Sequence, residues 1–334
     1  MRKLDVFVAA LAVIGLAGAA YAKDAAHWQP PRTSDGKPSF EGVWTNASIT
    51  SLQRPARFKE LIIPADRVEA ETNSNPQVVR QRNDDNQGQS TVFNGSDLNS
   101  GRGYNAFWID PGMRFSFVKG TYRTSWIVDP ANGQIPFKPD ARRALGSLRN
   151  NFDGPEARPV AERCIMASGS AGPPMTNYLY NNNSEIVQTR DTFGIRAEMI
   201  NYLRTIRIGG THAPASVTPL HGDAIGHWEG DTLVVETTNF HPLHERMAIA
   251  LSSSGKVTER FTRASKQQIL YEYTVDDPKF YTQPWRGEMS LDATPDKVYE
   301  YACHEGNYAL TGTLAGAREQ EKRGMRVQDG GREE

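Results

Sequence analysis

Imidazoles and carboxylates gather in two places along this chain, and these are the residue types that general acid–base chemistry uses. The first is HGDAIGHWEGDTLVVETTNF, residues 221–240, which carries His221, Asp223, His227 and Glu236. The second is YACHEGNY, residues 301–308, where His304 and Glu305 sit beside Cys303, Asn307 and two tyrosines around Gly306. His304, Glu305, His221, Asp223 and Glu236 form the candidate catalytic set. One carboxylate would abstract or shuttle a proton, and a histidine would donate one. The competing structural readings are a solvated outer face for the first stretch and a capped turn beside a disulfide for the second. His241 and His244 lie three residues apart, but Pro242 keeps them off a regular helix, so no metal site is assigned. A divalent cation enters only if Asp223 and Glu236 converge. The chain holds no H-E-x-x-H, G-x-S-x-G, Walker loop or G-x-G-x-x-G, so no cofactor is expected.

Strands must position these groups. Residues 223–228 read as an incoming strand and 232–240 as a β-branched outgoing one, joined by a two-residue turn at Glu229-Gly230 or Gly230-Asp231. Either turn places His221, Asp223, Ile225 and His227 on one face with Val234, Glu236 and Thr238. With the earlier turn Asp223 lies opposite Glu236, which is unfavourable unless the pair is solvated, protonated or bound to a cation or ligand. The hairpin is therefore either a wet outer face or one wall of a site.

Other segments repeat the strand pattern. Phe40–Asn46 is the first strand, and two apolar runs around Asn132-Gly133 predict a hairpin over Thr121–Phe137. Glu185–Thr189 follows, then Phe193–Ile208, whose pattern fits either a helix or two paired strands turning at Asn201-Tyr202, with the alternation of Thr205–Ile208 favouring strands. Val257–Arg263 pairs with Ile269–Val275, and Trp285–Leu291 with Val298–Cys303. Short helices are expected at 67–82 (interrupted by Pro76), at Pro139–Leu148 and at Ala315–Arg323. Regular strand spacing with short turns predicts a mainly β fold, an antiparallel meander closing as a lipocalin-like β-barrel. A β-sandwich or propeller is the alternative, the propeller without a fixed repeat period to support it.

Alternation along the strands assigns faces. Ile269, Tyr271, Tyr273 and Val275 share one face, and Trp285, Gly287, Met289 and Leu291 another, which leaves Arg286, Glu288 and Ser290 as a solvated face. Glu259 shares a face with Val257 and Phe261, so it either points inward, where it needs a partner such as Arg260, Arg263 or Arg286, or interrupts a modest outer apolar patch. Glu300 and His304 share a face with Val298 and Ala302, roughly 13 Å apart on an extended strand. An aromatic-lined pocket would be built from Trp44, Tyr271, Tyr273, Trp285 and Tyr301.

The ends and the composition bound the class. Met1-Arg2-Lys3, the apolar run Val6–Ala20 and Ala20-Tyr21-Ala22 read as a secretory signal peptide over residues 1–22. The expected mature chain is one β domain over 23–334, exported to the periplasm or beyond. It would carry a polar insertion at about 83–105 and a frayed tail at about 324–334. The whole chain has 38 basic and 39 acidic residues. Near-neutrality without a basic cluster argues against a nucleic-acid partner, and no other apolar run is long enough for a membrane span. Cys164 and Cys303 predict one structural disulfide in an oxidising compartment.

Gly42-Val43-Trp44 resembles the G-x-W signature that opens lipocalin and other calycin barrels. That three-residue resemblance implies an up-and-down barrel around a small-molecule pocket, with Trp44 closing one end. DGKPSFEGVWTN, IVDPANGQIPF, GHWEGDTLVVETTNF, ERFTRASKQQILYEYTVDDP and YEYACHEGNYALTGTLAGARE resemble a group of exported bacterial proteins without an assigned function. This resemblance runs over most of the mature chain and implies kinship rather than an activity. The leading expectation is an exported barrel that handles a small organic molecule, in its enzymatic version as a cofactor-free lyase, isomerase or hydrolase. The alternatives are a non-catalytic ligand carrier and a carbohydrate binder using Trp108, Trp126 and Trp285 as a platform.

Overall fold

The computed structural model describes residues 28–86, 111–147, 151–167, 169 and 171–325. The expected signal peptide, most of the polar insertion, Trp108 and the tail from 326 onward lie outside them. Five short strands come first: β1 (Gly42–Thr45), β2 (Ile62–Ile63), β3 (Phe117–Val118), β4 (Thr121–Arg123) and β5 (Ile127–Asp129). Eight longer ones follow: β6 (Asn183–Gln188), β7 (Thr192–Ala197), β8 (Leu203–Ile208), β9 (Asp223–Glu229), β10 (Thr232–Thr238), β11 (Lys256–Ser265), β12 (Gln268–Asp276) and β13 (Trp285–Ala293). Helices α1 (Val68–Asn73) and α2 (Pro76–Asn86) are split at Pro76 as the sequence predicts, because proline lacks the N–H that would continue the helix. Helix α3 spans Pro139–Ser147, and α4 spans Tyr308–Lys322, longer than expected.

The fold is mainly β, and its centre is a closed nine-stranded barrel. The order runs β1-β6-β7-β8-β9-β10-β11-β12-β13 and returns to β1, where Trp44 pairs with Ala293. It is mixed rather than wholly antiparallel, since β8 and β9 run parallel. The 209–222 segment between them carries the chain back along the barrel instead of turning it. β5 adds to β13 outside the closed ring.

Two pairings differ from the sequence reading. Val298–Cys303 is not a strand, because β13's remaining edge is already held by β5 and β1. The Asn132-Gly133 turn forms, with Gly133 N–H donating to the Pro130 carbonyl over 2.8 Å, but no hairpin follows it. β5 pairs with β13 instead, and Pro136 in the second run has no N–H to offer a ladder.

Side-chain parity fills the barrel. Phe193, Phe261, Tyr271, Tyr273 and Trp285 form a continuous run of ring contacts with centroids 4.9–5.8 Å apart. Gly287 makes room for it, since a Cβ there would lie 2.1 Å from Tyr273 Cζ. Trp44 is buried in this core, donates Nε1–H to the Phe40 carbonyl over 2.8 Å, and has the Arg263 guanidinium 4.7 Å above its ring.

Of the expected solvated face of β13, Arg286 is exposed, but Glu288 and Ser290 are buried. The small β2-β4-β3 sheet covers those two, so Ser290 bonds Ser116 and Glu288 takes Arg123 and Lys119 as partners. Cys164 and Cys303 form the expected disulfide, which ties residues 139 positions apart and fixes the segment before α4 against the barrel. Among the described residues no helix is long and apolar enough to cross a membrane.

A candidate ligand site at one end of the barrel

Strand directions place the β7–β8 turn, His221 ahead of β9, and the 239–255 connection at the same end of the barrel. Inside that end lies a polar cluster. Arg204, on the inward face of β8 with Ile206, donates Nη1–H to Glu259 Oε1 over 2.9 Å and Nη2–H to Glu259 Oε2. Both residues are buried. Tyr271 Oη donates to Glu259 Oε1 over 2.7 Å, and Arg204 also reaches Thr237 Oγ1 over 2.9 Å. Burial and the adjacent Glu259 carboxylate hold the Tyr271 phenol well above its usual range, so it stays a donor. Glu259 therefore faces inward, the first of the two readings its parity allows, and its partner is Arg204 and none of Arg260, Arg263 or Arg286.

The cluster reaches out to the 171–176 segment. Arg204 donates to the Ala171 carbonyl over 3.2 Å, and the Met175 N–H donates to Tyr271 Oη over 2.9 Å. The Gly172 carbonyl accepts from His221 Nδ1 over 2.9 Å. A carbonyl can only accept, so Nδ1 carries the proton and Nε2 is left with a lone pair. Gly222, at φ 78°, breaks the strand alternation between His221 and Asp223. His221 is thereby turned inward while Asp223 stays on the outer face.

His221 stacks on Tyr202 at 3.8 Å and meets His244 edge-on at 5.7 Å. His244 is buried, and among the described residues neither of its ring nitrogens has a hydrogen-bond partner. Burial, with Arg204 nearby, pushes His221 down to about 4 despite its bond to Gly172. Burial, with the charges of His221, Arg204 and His241, pushes His244 down to about 3. Both rings are therefore neutral near pH 7. Together with Thr176, Pro173 and Ile249 they line a cavity of about 30 Å³, room for a water-sized group.

A larger cleft of about 600 Å³ adjoins that cavity, sharing Ala167 and Met247 with it. Arg142 and Leu145 of α3, Tyr178, Tyr180, Ile200 and Tyr301 form its walls. Its size falls in the range of small-molecule sites. Ile200 lies at φ 60°, ψ 10°, with Asn201 at φ 49° beside it. A β-branched residue in the left-handed region is a strained outlier, and here it forms the β7–β8 turn at the cleft wall. Arg246 on the same wall donates to the Glu156 carbonyl over 2.5 Å and to Ala157 O, which holds that side of the cleft in place.

The structure separates the residues that the sequence reading gathers. In the hairpin, Thr232 pairs with Glu229, so the turn is Gly230-Asp231 and Asp223 lies opposite Thr238, not Glu236. Its inner face is Ala224, Gly226, Leu233, Val235 and Thr237, and the Asp223/His227/Glu236 face points outward. On that face His212 stands between the two carboxylates, and each has a cation of its own. Asp223 accepts from Arg207 Nη2 over 2.8 Å, from the Ala213 N–H over 2.9 Å and bonds His212 Nδ1 over 2.8 Å. His212 Nε2 lies 3.4 Å from Glu236, which also meets Lys256 at 3.3 Å. Burial works against ionisation of Asp223, but these donors more than offset it and hold the carboxyl below its usual range. Among the described residues no group of three or more metal-ligating side chains converges.

His304 and Glu305 are exposed, and with no strand at 298–303 they do not face Asp223, Glu236 or His221 across a barrel. Trp44, Tyr271, Tyr273 and Trp285 are core packing, and of the five expected pocket residues Tyr301 alone lines the cleft. Trp126 and Trp285 are almost wholly buried, so they offer no flat carbohydrate platform. Arg204, Tyr202 and His244 at the barrel end were not among the expected site residues. Alternation of Arg204 with Ile206 is the signal that would have turned Arg204 inward. Spacing from His241 marks His244 only as half of a weak metal pair; nothing local marks it as buried, since its burial comes from the 239–255 connection folding over the barrel mouth. Comparisons with protein-family models, with curated proteins and with solved structures returned no match.

Proposed function

We propose that this protein binds a small, largely apolar organic molecule in the cleft at the barrel end. The observation that carries the reading is the placement of the cleft against a cavity whose buried imidazole, His244, has no protein partner among the described residues. A buried polar group without a partner is unfavourable by about 1–3 kcal/mol, and such groups accompany a bound molecule or ordered water. The strained Ile200 at the cleft wall is a second support, because strain of this kind collects at ligand sites. Binding is favoured over acid–base turnover. A general base works best with a pKa near the operating pH, and His221 and His244 sit at about 4 and about 3.

The test uses 1-anilinonaphthalene-8-sulfonate, a flat aromatic probe whose fluorescence rises in apolar surroundings. Ala248 is exposed and lines the cleft, so Ala248→Trp fills the space without touching the core. Saturable one-to-one binding to the wild type, weakened about tenfold or more by Ala248→Trp, is expected. No saturable binding, or equal binding by both proteins, overturns the proposal.

A further inference from the structure

The cavity behind the cleft has a defined hydrogen-bonding polarity. His221 Nδ1 is committed as a donor to Gly172 O, so its Nε2 is an acceptor that needs an O–H or N–H. Neutral His244 carries one N–H and one lone pair, and both ring nitrogens lack partners among the described residues. The volume of about 30 Å³ admits one oxygen-sized group and not a ring. Of the remaining lining, Met166, Ala167, Pro173, Pro174 and Ile249 are apolar, and the Thr176 hydroxyl accepts from the Gly169 N–H at 3.2 Å while keeping its own hydrogen to donate.

Resting on the cleft reading above, we infer that the ligand is an alcohol or phenol whose hydroxyl enters this cavity while its apolar body lies in the cleft. A hydroxyl is both donor and acceptor, so it can donate to His221 Nε2 and accept from the His244 N–H. An ether oxygen or a carboxylate only accepts, and would set a lone pair against the bare His221 Nε2. A carboxylate also loses its hydration on entering a cavity that, among the described residues, no Lys or Arg lines, and the Arg204 guanidinium is already taken by Glu259, Thr237 and Ala171. The site thus selects on the polarity of one hydrogen atom, and such selection against an analogue lacking the group is larger than selection by size.

Displacement of bound 1-anilinonaphthalene-8-sulfonate at pH 7 by four naphthalenes tests this: 2-naphthol, 2-methoxynaphthalene, 2-naphthoate and naphthalene itself. 2-Naphthol is expected to bind about tenfold tighter than naphthalene and 2-methoxynaphthalene, the size of one buried hydrogen bond. 2-Naphthoate is expected to bind no tighter than naphthalene. In His221→Phe the advantage of 2-naphthol should vanish while naphthalene binding persists. Equal affinities across the series overturn the hydroxyl assignment and leave the cleft reading standing, with water as the cavity's occupant. Tightest binding by 2-naphthoate overturns it as well. Failure of all four to displace the probe overturns the hydroxyl assignment, and failure of the probe itself to bind overturns the cleft reading. The wild-type comparison decides the matter even if His221→Phe does not fold.

Discussion

Arg204 and Glu259 meet inside the barrel, on strands that are not neighbours, and every oxygen and terminal nitrogen of the pair has a partner. The pair joins β8 to β11 across the barrel and, through Ala171 and Tyr271, seats the 171–176 segment that forms one wall of the histidine cavity.

Removing one member of this pair should be far more harmful than removing both. Glu259→Gln or Arg204→Met leaves a buried partner uncompensated and should cost about 3–5 kcal/mol. The double change Arg204→Met with Glu259→Leu removes both charges at similar volume and should cost less than either single change. Urea unfolding midpoints of the three variants check this, and additive losses would refute it.

Stability should fall as the solution is acidified from pH 6.5. In the unfolded chain His221 and His244 take up protons near 6.5, whereas in the fold they resist until about 4 and about 3. Between those values the unfolded state binds more protons, so unfolding free energy rises with pH and is lost as pH drops. Each histidine contributes up to about 1.4 kcal/mol per pH unit in that window. Urea titrations from pH 7 to 4.5 should show the slope, and His244→Phe should remove roughly half of it. An unchanged slope would mean that other groups set the acid response.

Reducing the disulfide should loosen the cleft as well as the fold. Cys164 and Cys303 close a loop of 139 residues, for which loop-closure entropy gives about 4–5 kcal/mol. Tyr301, two positions from Cys303, lines the cleft. Cys303→Ala is therefore expected to lower the unfolding midpoint and to weaken binding of the anilinonaphthalene probe together. Lowered stability with unaltered probe affinity would show that Tyr301 holds its place without the bond.

Much of the fold was legible because strand alternation is a local property. The mainly β class, the helix break at Pro76 and the Cys164–Cys303 bond follow from residue pattern and type, while alternation only favoured the β7–β8 pairing over a helix and set Glu259 on an apolar face without fixing which way it points. The Val298–Cys303 strand was misread because an alternating segment needs a vacant edge, and β5 and β1 occupy the one it would use. Glu288 and Ser290 were misread for a related reason. They have the polarity of a wet face, but the β2-β4-β3 sheet packs onto them.

The candidate site was less legible, because its members come from separate parts of the chain. The sequence alone determined which residue types could do chemistry, and that His221, Asp223 and Glu236 ride on one hairpin. It left open the turn, and the choice of Gly230-Asp231 moved Glu236 opposite Ile225. Which face looks inward is decided by barrel closure, since the apolar residues Leu233 and Val235 must be buried and carry Asp223 and Glu236 outward with the opposite parity. Only tertiary structure turned His221 inward at Gly222 and brought His244 against it. Local spacing cannot encode that meeting, because it depends on where the 171–176 and 239–255 segments cross the barrel mouth.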